Sequence, residues 1–185
     1  SAAEALADPC DVFVEYTKPV SAKANILLAV ERGAHVVAGT SGLTDADYDE
    51  IDLAARTRGR GVLACGNFAL TAVLLQKFAL LAAKYLPNWE IVDFGSGTKV
   101  DVPSGTVREL ALRLSQVRPP AVTVAPAKTV GPPESRGATV AGTQVHSGRL
   151  PGHVLGVDVI YGMPDQTLTL RHQAGASARP YVDGA

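Results

Sequence analysis

The chain has 185 residues, 46% of them hydrophobic, and a formal net charge of −1, enough for one large domain or two small ones with cores of their own. Its 17 Lys and Arg nearly balance 18 Asp and Glu. With no basic runs or interleaved aromatics they leave no footprint for a nucleic acid, although a small anionic ligand is compatible. Cys10 and Cys65 are isolated, without Cys-x-x-Cys or Cys/His spacing, so neither a zinc site nor any other metal centre nor a disulfide framework is expected, and a reducing cytoplasm fits best.

Residues 1–8 lack the basic and apolar regions of a secretory signal. A strand is expected over 11–15. A helix follows over 20–32, stopped by Gly33, whose missing Cβ suits a left-handed terminus. The apolar run 35–38 is a second strand, 44–58 a helix with Thr44 and Asp47 as a variant capping box, and 61–65 a third strand. Strand-helix alternation of this kind predicts parallel strands joined by crossover helices, a partial Rossmann-like, doubly wound α/β sheet. Ligands of such sheets sit at the carboxyl ends of the strands. Thr17-Lys18, Gly39-Thr40-Ser41-Gly42 and Gly66-Asn67-Phe68 all fall there and are expected to line one crevice, with glycines letting the backbone approach a flat ligand. Tight strand-to-helix turns use the same residue types and are the plainer alternative.

The most apolar stretch, 70–86, contains Gln76, Lys77 and Lys84 and is too short and polar for a membrane span, so it reads as a buried helix. A strand over 91–94 leads into the Lys99 loop and a helix over 104–116. A run of strands is expected to begin at 121–124. Residues 126–137, rich in Pro and Gly, read as a surface loop. The segments 155–161 and 166–171 alternate in period two and are joined by a turn at 162–165, as in an antiparallel sheet with one covered face. The second half is therefore α+β with a mainly antiparallel sheet. The expected division is 1–88 for a dinucleotide-binding domain, 89–172 for a substrate-binding and oligomerisation domain, and 173–185 for a return toward the first.

Chemistry concentrates in Lys99-Val100-Asp101-Val102-Pro103-Ser104-Gly105-Thr106. Small residues at a helix start leave N–H groups and hydroxyls for a carboxylate or phosphate, where the helix dipole also favours negative charge, and Lys99 brings a transferable proton beside that anion. The plainer alternative is a capping Ser104 or Thr106 and a solvated Lys99.

Lys-x-Asp-x-Pro-Ser-Gly-Thr after a buried strand resembles the signature of the 4-hydroxy-tetrahydrodipicolinate (dihydrodipicolinate) reductase family. The stretch Asp11-Val-Phe-Val-Glu-Tyr-Thr-Lys-Pro19, together with Gly39-Thr-Ser-Gly42 and Gly66-Asn-Phe68, follows in the family's order and spacing, so the resemblance covers 11–185. It implies a cytoplasmic homotetramer of lysine and diaminopimelate biosynthesis that reduces a cyclic, unsaturated dicarboxylate with NADPH or NADH. Lys99 would then be the acid that quenches the charge left by hydride delivery. Ser104, Gly105 and Thr106, with Ser41, would hold substrate carboxylates. Thr17, Lys18, Gly39, Thr40, Ser41, Cys65, Gly66, Asn67 and Phe68 would face the cofactor, and hinge closure would bring the two reactants together.

Two departures accompany the resemblance. No GxGxxG turn is present, since Gly95-Ser-Gly97 only begins like one, and the chain reads as a fragment that starts after a first βαβ unit and stops before the family's closing helix. Gly95 also stands where the family carries a His acid, and none of His35, His146, His153 or His172 is assignable to that duty. A diverged reductase of another cyclic imine or enamine acid, or a non-catalytic nucleotide-binding homologue, are therefore the alternatives.

Overall fold

Three short apolar runs form the first sheet in a computed structural model of the chain, which describes residues 1–40, 42–122 and 124–185. Strands β1 (Val12–Glu15), β2 (His35–Ala38) and β3 (Val62–Ala64) pair in parallel in that order. After the short helix α1 (Ala2–Ala5), helices α2 (Pro19–Glu31) and α3 (Asp45–Arg58) supply the crossovers. Each boundary has a local cause. Pro19 suits the first turn of α2 because its missing N–H would have no helical acceptor there. Gly33, at φ +88°, takes the left-handed conformation that ends it. Thr44 and Asp47 cap each other's backbone N–H at the start of α3. Leu6, Ile26, Ala29, Val30, Ala34, Val36, Ala38 and Ile51 make this unit's core.

The second unit contains α4 (Leu70–Ala83), β4 (Asn88–Gly95), α5 (Gly105–Val117), β5 (Ala138–Val140), β6 (Thr143–Arg149), β7 (Leu155–Met163), β8 (Gln166–Ala174) and the short α6 (Arg179–Val182). Its sheet runs β5-β6-β4-β7-β8, with β4 at the centre, parallel to β6 and antiparallel to β7. Alternation along β4 sends Trp89 and Ile91 inward, where they meet Val145, Val157, Val159 and Tyr161 and the apolar faces of α4 (Leu75, Ala79, Ala83) and α5 (Val107, Leu110, Ala111, Leu114). Burying one such Leu or Val stabilises the fold by about 1.5–3 kcal/mol. The polar tips in this core find partners. Tyr161 donates its hydroxyl to Ala79 O at 2.7 Å, and Trp89 Nε1 donates to Thr143 Oγ1 at 3.1 Å.

The chain divides into one unit of residues 1–68 with Ala185 and another of 69–184. The expected boundary at 88 differs from this division by the whole of α4, whose buried face packs with α5. That helix is buried on one face only: Leu70, Leu74, Phe78 and Leu81 are exposed. The strand expected at 121–124 is not formed by Ala121, Val122 or Val124, and Thr123 lies outside the described residues. Pro119 and Pro120 precede it without N–H donors, and the Ala121 N–H goes to Pro87 O at 2.7 Å. The strands of this region lie further on, in a β5–β6 hairpin turned by Ala141 and Gly142, at φ +46° and +82°. Among the described residues no helix is long and apolar enough to cross a membrane, and no group of His, Cys, Asp or Glu could hold a metal ion.

Candidate active site

In the first unit the segments picked from the sequence follow the carboxyl ends of β1, β2 and β3. Glu15, the last residue of β1, is completely buried. The Thr17 N–H donates to Glu15 Oε1 at 3.1 Å, the Thr17 hydroxyl donates to the same oxygen, and Asn25 Nδ2 reaches it at 3.4 Å. Burial pushes the Glu15 carboxyl up, but the donors of Thr17 and Asn25 outweigh it and hold the group below the usual glutamate range. Thr17 therefore shapes the turn into α2, and Lys18 is the exposed N-cap residue of that helix. Tyr16 is 46% exposed and packs at 6.0 Å, tilted, against the buried Phe68. A Cβ at Gly39 would overlap the Tyr16 ring, so the space expected to admit a flat ligand against bare backbone holds an aromatic ring. Cys65 Sγ donates to Asn67 O at 3.2 Å, closing the turn that carries Gly66. Ser41 lies outside the described residues.

The second unit gathers the Lys99 loop around a buried ion pair. Asp93 and Gly95 share the inward side of β4, and Arg149, the last residue of β6, stands opposite Gly95 in the ladder. Arg149 Nη2 donates to Asp93 Oδ2 at 2.7 Å and to Asp101 O at 2.6 Å, and Nη1 to Gly148 O at 2.9 Å. Asp93 Oδ2 also accepts from the Ser104 N–H at 2.8 Å and from Ser147 Oγ at 3.3 Å. Lys99 does not extend into solvent. Its Nζ lies 2.6 Å from Asp101 Oδ1, its side chain is 27% exposed, and its stem crosses the space above Gly95. Burial pushes the Asp101 carboxyl up, and the bound ammonium more than offsets that, holding it below the usual aspartate range.

Ser104 departs from the expected free donor. It is buried, its N–H is taken by Asp93, and its Oγ accepts from the Val107 N–H at 3.4 Å as the cap of α5. The first-turn amides of Gly105 and Thr106 remain, with no helical acceptor. The exposed Arg108, whose Nη1 donates to Pro103 O at 2.5 Å, has Nη2 3.8 Å from where a Gly105 Cβ would lie. An ammonium, a guanidinium and two amides thus stand together in one loop, a set of donors suited to a carboxylate.

Matches to known proteins cover both units. A family model described as dihydrodipicolinate reductase, N-terminus, matches residues 1–68, and one described as dihydrodipicolinate reductase, C-terminus, matches 71–185. The chain belongs to the dihydrodipicolinate reductase family. Among curated relatives, the 4-hydroxy-tetrahydrodipicolinate reductase of Halalkalibacterium halodurans is 39% identical over 164 residues, covering 89% of this chain and 62% of the relative. That of Desulfitobacterium hafniense is 40% identical over 175 residues, covering 94% of this chain and 65% of the relative. The solved dipicolinate-bound dihydrodipicolinate reductase from Paenisporosarcina sp. TG-14 superposes with a TM-score of 0.79 at 33% identity, over 94% of this chain and 65% of that one. The chain thus spans a little under two thirds of the length of these reductase-family relatives.

Sequence reasoning missed Asp93, Arg149 and Glu15. A lone carboxylate inside an apolar strand, as in Ile91-Val-Asp-Phe94, is a signal for the first, because such a group needs a buried partner. Arg149 carries no local signal, since its partners lie 48 and 56 positions away.

Proposed function

We propose that this chain serves as a 4-hydroxy-tetrahydrodipicolinate reductase, an NAD(P)H-dependent oxidoreductase of lysine and diaminopimelate biosynthesis. The observation that carries the reading is the Lys99 loop, in which an ammonium held at 2.6 Å from Asp101 stands in the same loop as the first-turn amides of Gly105 and the buried Thr106, which have no acceptor within the helix. A dicarboxylate would place one carboxylate on those amides and the Thr106 hydroxyl, with Arg108 adding positive charge. The nicotinamide, when bound, supplies the hydride. Lys99 then delivers a proton to the atom where negative charge develops, and Asp101 holds the ammonium until the substrate arrives.

In the first unit the residues present suit such a cofactor. The exposed Tyr16 ring offers a stacking face at the end of β1 and Lys18 a cation at the start of α2. The turns at Thr17-Lys18, Gly39-Thr40 and Cys65-Gly66-Asn67-Phe68 follow the carboxyl ends of the three parallel strands, where such sheets bind their ligands, with the N–H groups of Thr17, Gly39 and Cys65 taken by Glu15 Oε1, Glu15 O and Ala38 O. Ser41 belongs to the same proposal on sequence grounds. NADPH and NADH are both admitted by these residues. The two isolated free cysteines fit a reducing cytoplasm. A homotetramer would use the outward face of the five-stranded sheet, where Val92, Val122, Val124 and Ile160 line a groove of about 840 Å³.

Gly95 favours a second reading, a reductase of another cyclic imine acid with a different proton path. The deciding experiment is NAD(P)H oxidation by the full-length gene product with freshly generated 4-hydroxy-tetrahydrodipicolinate, beside Lys99→Ala. Turnover that falls about 10²–10⁴-fold in the variant, with cofactor still bound, establishes the first reading. Cofactor binding without turnover overturns it in favour of another imine acid.

A further inference from the structure

We propose that Arg149 is a positioning residue for this site, using one guanidinium to hold both ends of the segment between Asp101 and Ser104. The inference rests on the reductase reading. Arg149 Nη2 grips the Asp101 carbonyl at 2.6 Å, and the Asp101 carboxylate holds Lys99. The same nitrogen pairs with Asp93 Oδ2 at 2.7 Å, and that oxygen accepts the Ser104 N–H at 2.8 Å, directly before the amides of Gly105 and Thr106. One ion pair, with side chains 13% and 1% exposed, therefore sets the Lys99 ammonium and the carboxylate-binding amides in register.

Gly95 completes the device. A Cβ there would lie 2.8 Å from Lys99 Cδ and 3.2 Å from Arg149 Cδ and Cζ, so the lysine stem and the guanidinium share the volume that a side chain at 95 would take. The position where the family resemblance places a His is thus filled by the two cations that this arrangement brings together. A desolvated ion pair adds little to stability compared with apolar packing of the same volume, but it fixes geometry. Geometry matters here because a misplacement of about 1 Å costs on the order of 10²-fold in rate.

Arginine and lysine separate the two grips. Arg149→Lys keeps a point charge for Asp93 but loses the Nη1 branch, anchored on Gly148 O at 2.9 Å and Asp93 O at 3.3 Å, that fixes Nη2 against the Asp101 carbonyl. The test uses the full-length gene product and its Arg149→Lys and Arg149→Met variants, measuring kcat and KM with 4-hydroxy-tetrahydrodipicolinate, and Kd for dipicolinate and for NADPH. Arg149→Lys is expected to lower kcat about 10²-fold while dipicolinate and NADPH affinities stay within about threefold. Arg149→Met is expected to lower kcat and also weaken dipicolinate at least about tenfold, with NADPH affinity unchanged.

Wild-type kcat in Arg149→Lys overturns the proposal, as does parallel loss of dipicolinate affinity, NADPH affinity and thermal stability in both variants, which marks a merely structural residue. If Arg149→Met does not fold, Arg149→Lys decides alone. The unmodified protein separates this test from that of the reductase reading. If it binds dipicolinate without turnover, the reading fails and Arg149 is judged on dipicolinate affinity in Arg149→Met. If it neither turns over nor binds, both fall.

Discussion

Each unit buries a carboxylate at or near the end of a strand and uses it to shape the loop that follows, but the two are served differently. Glu15 is held by neutral donors, the N–H and hydroxyl of Thr17 with the amide of Asn25. Asp93 is held by the Arg149 guanidinium together with a backbone N–H. Neutral donors fix a turn and leave the negative charge in place. The ion pair fixes a loop and offsets the charge, so that the cations of Lys99 and Arg108 in that loop are not opposed by an unpaired buried anion. The charge of one buried partner thus distinguishes the two loops.

The comparison breaks most sharply at Asp93. Asp93→Ala leaves the Arg149 guanidinium, 13% exposed, without its counter-ion and the Ser104 N–H without its acceptor. A loss of about 3–5 kcal/mol is expected, read as a lower urea midpoint at unchanged slope. A loss under about 1 kcal/mol would mean that water reaches the pair and that the loop is not anchored through it.

Glu15 gives the smaller effect. Glu15→Ala removes an acceptor of the Thr17 N–H and is expected to cost about 1–3 kcal/mol at neutral pH. The pH dependence carries the sign. Because the folded carboxyl is held below the usual glutamate range, its contribution is fully present above the unfolded value of about 4.3 and is lost as pH falls through the lower folded value. Glu15→Gln should flatten that acid limb of the denaturation profile, while a profile identical to the parent's would assign the limb to other carboxylates.

His172 sharpens the contrast from the basic side. It is 3% exposed, its Nδ1 lies 3.0 Å from Thr71 Oγ1, and burial holds the ring below the usual histidine value. Its stability contribution is present above about 6.5 and declines as pH falls toward the lower folded value. His172→Gln should remove that decline in melts between about pH 7 and 5, and a decline that persists in the variant would assign it to other groups.

What the sequence disclosed follows from how local each cause is. The first sheet was legible because its strands and helices carry their own signals, as with Pro19, Gly33 and the Thr44–Asp47 cap. The Lys99 loop was legible through its motif, and the position of Ser104 at the helix start was right. Its N–H was not free, because Asp93 takes it from 11 residues away. The expected strand at 121–124 failed where two prolines and the contact with Pro87 outweighed a β-branched composition. Arg149 was invisible because its role exists only once β6 lies beside β4.

The finest test compares two glycines. A Cβ at Gly39 would overlap the Tyr16 ring, and one at Gly95 would press on the Lys99 stem at 2.8 Å. Tyr16 is 46% exposed and the Lys99 side chain 27%, so each can move aside. Gly39→Ala and Gly95→Ala are therefore both expected to lower stability by less than about 1 kcal/mol. Activity should separate them. Displacing Tyr16 alters the face proposed for the cofactor and should raise the KM for NADPH with little change in kcat. Displacing the Lys99 stem moves the ammonium from Asp101 and should lower kcat with NADPH affinity intact. If the alanine at 95 instead leaves kcat unchanged, the space above Gly95 is not what positions the lysine, and the Asp101 contact alone must hold it.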